Sequence, residues 1–196
     1  MNKLMGFFEL KDMDLPSIPW KEYNTTVKLD PSVLWTIRSA VYQGDDLNLP
    51  RLVGKDSVDS KLFADNLIDK IQGTGMVIYY PYFIAEKSGT LCVDTEKEII
   101  EAVSGDLWNF VSDGDREVSI IHNDNETTYI GNELFFSESE LNEILSHVNT
   151  IRKLFRNSLL EGKSVLLEWS YAYKSDKQKN KIGDKYLVFY EVRTIN

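Results

Sequence analysis

The sequence has one cysteine, Cys92, and two histidines, His122 and His147, among its 196 residues. A single thiol allows no disulfide within the chain and no cysteine-rich metal centre, and it fits a cytoplasmic setting in which thiols stay reduced. Two histidines leave zinc and histidine-activated nucleophiles almost nothing to work with. The Walker loop, Gly-x-Gly-x-x-Gly, His-Glu-x-x-His and Gly-x-Ser-x-Gly are all missing. No apolar run reaches the length of a membrane span, and the start lacks the basic and apolar pattern of an export signal. Positive charge is short too: 22 Lys and Arg against 31 Asp and Glu leave a net charge of −9. That balance argues against nucleic acid and anionic membranes as partners. Chemistry, if any, must come from carboxylates, arginines, lysines and a metal, which is the equipment of phosphoryl transfer.

What is present is an ordinary globular composition, 42% hydrophobic and 27% charged. Pro16, Pro19 and Pro31, with scattered polar residues, mark 1–32 as an irregular leader holding one short strand at 25–29. Residues 33–196 are expected to form a single domain. Within it, 33–42 reads as a strand with Arg38 inside an apolar run. Such an arginine either snorkels to water from an edge strand or meets an anion, to which its guanidinium offers two parallel hydrogen bonds. Residues 43–54 read as a loop, and Ser57 opens a helix with an apolar stripe of Val58, Leu62, Leu67, Ile68 and Ile71 that Gly73 closes. A buried strand at 76–85 bends at Pro81, and a short strand at 91–93 follows a turn at Lys87-Ser88-Gly89. Another strand starts at Ile99, and 117–122 with 126–130 form a hairpin about Asn123-Asp124-Asn125. Ser137 and Glu140 make a capping box for one long helix whose stripe runs from Leu141 to Leu159, with His147 on its solvated side. The order predicts an α+β fold with mostly antiparallel pairing and two main helices.

The chain ends in the most informative stretch, Ser164-Val-Leu-Leu-Glu-Trp-Ser-Tyr-Ala-Tyr, a polar gap, then Lys185-Tyr-Leu-Val-Phe-Tyr-Glu-Val-Arg-Thr-Ile-Asn. It reads as a hairpin with a long loop. Centring that loop between Lys179 and Asn180 places Glu168 opposite Glu191 and Leu166 opposite Arg193. Alternation then puts Leu166, Glu168 and Ser170 on one face with Phe189, Glu191 and Arg193, and Leu167, Trp169, Tyr190 and Val192 on the other. Opposed like charges destabilise a strand pair unless something positive lies between them, whether a hard cation or Arg193. A solvated sheet face is the plainer alternative.

Four blocks carry a resemblance. They are Trp35-Thr-Ile-Arg-Ser-Ala with Gly44-Asp-Asp-Leu; Val77-Ile-Tyr-Tyr-Pro-Tyr-Phe-Ile-Ala-Glu-Lys-Ser-Gly-Thr-Leu; Ile99-Ile-Glu-Ala-Val-Ser-Gly-Asp; and Leu167-Glu-Trp-Ser-Tyr-Ala with Tyr186-Leu-Val-Phe-Tyr-Glu-Val-Arg-Thr-Ile. In this order they resemble the nucleotide-binding domain of phosphoenolpyruvate synthase and pyruvate phosphate dikinase, an ATP-grasp fold. The resemblance implies ATP and Mg2+ as ligands. Glu168 and Glu191 would hold the metal, Arg38 and Arg193 would contact phosphate oxygens as catalytic groups, and the backbone around Tyr80 and Tyr82 would line the adenine pocket. It implies an ATP-binding protein that passes a phosphoryl group to a separate acceptor. The alternative is a non-catalytic binding or regulatory module that keeps the fold for a protein partner. The chain departs from that family where its Gly-Gly-Lys start is missing, where its glycine-rich segment reads Leu49-Pro-Arg-Leu-Val-Gly, and where its Gly-Leu-Gly-Glu reads Gly105-Asp-Leu-Trp.

Overall fold

Alternating burial along the strands sorts the chain into two antiparallel sheets that adjoin at Tyr82. A computed structural model describes residues 3–42, 49–71, 73–107, 116–123 and 126–196. Helix α1 (Lys3–Asp12) is followed by β1 (Lys21–Glu22), β2 (Trp35–Val41), β3 (Arg51–Lys55), α2 (Ser57–Ile71) and β4 (Gly75–Pro81). These strands form the small sheet, in the order β1-β4-β2-β3. The large sheet takes β5 (Phe83–Val93), β6 (Lys97–Ser104), β7 (Val118–Asn123), β8 (Thr127–Gly131), β9 (Ser164–Ser175) and β10 (Lys181–Ile195), in the order β10-β9-β5-β6-β7-β8. Between β8 and β9 lie α3 (Glu138–Ser146), α4 (Val148–Leu154) and α5 (Arg156–Leu160).

Three apolar groups hold this together. One face of the large sheet, with Leu91, Ile100, Ile120 and Trp169, packs on Ile144, Ile151, Phe155 and Leu159 of the α3–α5 run. Ala64 and Leu67 of α2 pack on Ile37 and Val77 of the small sheet. Phe7, Ile18 and Trp20 fill the seam between the sheets, against Ile78 and Tyr80 on one side and Ala172 and Val188 on the other.

Several expectations are corrected. The leader forms helix α1, and residues 25–29 hold no strand; its pairing consists of the two-residue β1 and a parallel bridge from Ser17 to Phe189. Residues 51–54, read as the end of a loop, belong to β3, with Gly54 at φ 60 against the Tyr82 ring. Ser88 and Gly89 are not a turn but the middle of β5. A Cβ on Gly89 would strike the Glu101 carbonyl and the Trp169 ring, so the glycine serves close packing. The long helix is three segments. Its capping box is as expected, with Ser137 and Glu140 exchanging backbone hydrogen bonds. His147 is half-buried, edge-on to Phe189, and burial lowers its pKa. Residues Gly44 to Leu47, Trp108 and the tip of the Asn123-Asp124-Asn125 turn lie outside the described residues.

Candidate functional site

The site grows from a bulge. The tip of the β9–β10 hairpin pairs Lys181 with Ser175 and Ile182 with Lys174, which centres the turn on Gln178 rather than between Lys179 and Asn180. Two irregularities then shift the register, one between Ile182 and Tyr186 and one between Phe189 and Glu191, and Glu191 comes to face Glu168 while Arg193 faces Leu166. The second is a bulge at Tyr190, which breaks the simple alternation. Phe189 therefore joins Trp169 in the core, and Tyr190 turns to the same side as Glu168, Ser170 and Glu191.

That side forms one wall of a cleft of ≈ 410 Å³ between the sheets. The small sheet supplies Arg38 and Arg51 to it, the end of β4 supplies Tyr80, and the junction supplies Tyr82 and Phe83. Strand β2 is central, flanked by β4 and β3, so Arg38 is not at an edge; its side chain is only 14% exposed. The guanidinium packs over the Phe7 ring, 5.3 Å from its centroid, and its Nη2 lies 3.5 Å from Glu191 Oε2 across the cleft. Burial alone would depress the Arg38 pKa, but Tyr80, Glu191 and Glu168 outweigh it and raise the value. Arg193 Nη2 donates to Glu168 Oε1 at 3.5 Å.

The six residues expected from sequence thus line a single cleft: Arg38, Tyr80, Tyr82, Glu168, Glu191 and Arg193. Each carboxylate has an arginine beside it, so the four charges cancel in pairs. Around them stands an aromatic group in which Tyr80 stacks on Phe83 and Phe83 leans on Tyr190. Burial raises the Tyr190 hydroxyl well above its ordinary pKa, with Glu168 adding to the effect, so the phenol stays neutral and can donate. Ser170, also in the cleft lining, shares a 2.7 Å hydrogen bond with Ser88. Among the described residues no group of three His, Cys, Asp or Glu side chains converges as a metal cage. Two carboxylates suit a cation that takes its remaining oxygens from water and phosphate, as Mg2+ does.

Sequence reasoning missed Phe7, Arg51, Asp106 and Tyr190. Phe7 belongs to the segment read as an irregular leader. Arg51 and Asp106 stand where the resemblance departs from its family, and Tyr190 is turned inward only by the bulge.

No family model matches the sequence, and no curated protein does. Solved structures do. The D-alanine-D-alanine ligase from Helicobacter pylori matches 98% of this chain at TM-score 0.51 and 12% identity, over 50% of its own length. The D-alanyl-alanine synthetase A from Vibrio cholerae matches 97% at TM-score 0.51 and 8% identity, over 54% of its length. The fold is ATP-grasp-like. The chain spans about half the length of these ligases. At such identity the likeness is one of fold, and it does not single out the phosphoenolpyruvate synthase domain. Among the described residues, no helix of this ATP-grasp-like chain is long and apolar enough to cross a membrane.

Proposed function

We propose that the cleft between the sheets binds ATP together with Mg2+. The observation that carries this reading is the meeting of two opposed carboxylates, Glu168 and Glu191, with Arg38 and Arg193 in one aromatic-walled cleft. A strand pair that sets glutamate against glutamate is unfavourable by itself, and so is burying Glu191 at 2% side-chain exposure. Both become reasonable for a site that receives a cation and a polyphosphate together. Mg2+ supplies charge neutralisation on the phosphates. Glu168 and Glu191 would hold the metal, Arg38 and Arg193 would meet phosphate oxygens, and Tyr80, Tyr82 and Phe83 would flank the base. In the finer reading, the bound nucleotide gives its terminal phosphoryl group to an acceptor outside this chain.

A second reading, a binding or regulatory module without catalysis, is favoured by the 3.5 Å pairing of each carboxylate with an arginine, which leaves the cleft electrostatically closed. Titration calorimetry separates the two. Wild type should bind MgATP in a metal-dependent way, and Glu168→Gln should weaken that binding about tenfold, the loss of one charged contact. An absence of heat at millimolar MgATP would select the second reading.

A further inference from the structure

The small sheet carries its own opposed like-charge pair. Arg38 of β2 and Arg51 of β3 are direct cross-strand partners, and both line the cleft that Glu168 and Glu191 line from the other side. Two guanidiniums side by side on adjacent strands repel, as two carboxylates do. The cleft therefore has a cationic pair on the small sheet, facing Glu168, Glu191 and Arg193 on the large one, with Asp106 also in its lining.

Resting on the nucleotide reading above, we infer that Arg51 is a phosphate-binding residue, placed at the rim to grip the polyphosphate from the side opposite Glu168 and Glu191. Pro50 has no N–H, and its carbonyl is taken by the backbone and hydroxyl of Ser39 at 3.3 and 3.0 Å. Strand β3 is the edge of its sheet, and Arg51 and Leu52 pair with Arg38 and Ile37 of β2. From this strand the cleft receives the side chains of Arg51 and Val53, and Arg51 is the one that can meet an anion. Arg51 is exposed at the opening while Arg38 lies deep, so the two guanidiniums span the wall from floor to rim. Tyr80 and Asp106 line the same cleft as the two arginines. A row of two guanidiniums matches a chain of phosphates better than a single phosphate.

The test is calorimetric titration of MgATP into wild type, Arg51→Gln and Arg51→Lys, at low and at physiological salt, with thermal melting of each. Arg51→Gln should bind MgATP about tenfold more weakly, the loss expected for one charge-assisted contact. Its affinity should also depend less on salt. Arg51→Lys should fall between, because a lysine keeps the charge and loses the fork. Melting without nucleotide reports whether each variant is folded. Wild-type binding with an unchanged affinity and salt dependence in Arg51→Gln overturns this role and leaves the nucleotide reading standing. A wild type that binds no MgATP overturns both. If Arg51→Gln fails to fold while Arg51→Lys folds and binds like wild type only in charge-independent fashion, with the same salt dependence as an uncharged control ligand such as adenosine, the role is structural and the inference falls.

Discussion

The two sheets meet the same cleft in different ways. The small sheet brings Arg38 and Arg51, with α2 packed on one face and Phe7 of α1 on the other. The large sheet brings Glu168, Glu191 and Arg193 and is backed by three helical segments and the larger apolar core. Each wall sets like charges opposite each other, which costs stability in either sheet by itself. Arg38 and Glu191, 3.5 Å apart, join one sheet to the other. The difference teaches that the walls are complementary rather than similar, and that electrostatic stability in this region belongs to the pair of sheets.

Removing one side of that junction should have the largest effect. Arg38→Met leaves the buried Glu191 carboxylate beside an apolar side chain and should cost about 3 kcal/mol in urea unfolding, the usual cost of stranding one member of a buried ion pair. Glu191→Leu should cost a similar amount. The double variant Arg38→Met/Glu191→Leu should recover more than half of the summed loss, because two apolar groups replace the pair. A double variant as unstable as the sum would show that the two walls do not depend on each other here.

The large sheet has a second electrostatic centre away from the cleft. Glu140 accepts from Lys87 and Lys185, each at 2.7 Å, and Lys185 also bonds Glu86, which holds Lys181. Burial pushes the Glu140 carboxyl up, but Lys185, Lys87 and the Ser137 N–H outweigh it and bring it from 4.5 to about 2. A depressed carboxyl stabilises the fold above its unfolded value and loses that contribution as pH falls through the folded one. Wild type should therefore exceed Glu140→Gln by about 2 kcal/mol at pH 6, with the gap closing between pH 4.5 and about 2 as urea midpoints are followed downward. On the helix over the small sheet the comparable pair, Lys61 and Asp65, is 42% and 38% exposed. Breaking it should change stability by well under 1 kcal/mol. Equal effects at the two places would erase the contrast between the sheets.

Much of the cleft was legible because strand alternation and turn chemistry are local. The Trp35 to Ala40 and Leu167 to Ala172 runs name their own strands, and the Ser137 capping box marks its helix start. The Glu168–Glu191 opposition emerged from a turn centred too far along, and two register shifts absorbed the error. Bulges are where the reading failed: Tyr190 reverses its face by one, a displacement the sequence shows no local sign of. Gly89 looked like a turn because glycine breaks strands by propensity, yet it is required by the closeness of Glu101 and Trp169, which lie far away in sequence. Phe7 packs under Arg38 through contacts across more than thirty residues. Long-range packing of this kind leaves no periodic trace.

Helix α2 shows the same gap and yields the smallest expected effect. The stripe read from its sequence begins with Val58 and Leu62, but these are 74% and 64% exposed, while Ser60, Ala64 and Leu67 are buried against the small sheet. An exposed valine in a helix has only its propensity to offer, and alanine has the better one. Val58→Ala should therefore stabilise the protein by about 0.5 kcal/mol. Leu67→Ala, the same kind of truncation on the same helix, should cost about 3 kcal/mol through lost burial and a cavity. Opposite signs in thermal or urea unfolding would place the packing face at Ala64 and Leu67. A loss at Val58 as large as that at Leu67 would mean that the stripe as read from sequence, not the face seen in the fold, carries the packing of the small sheet.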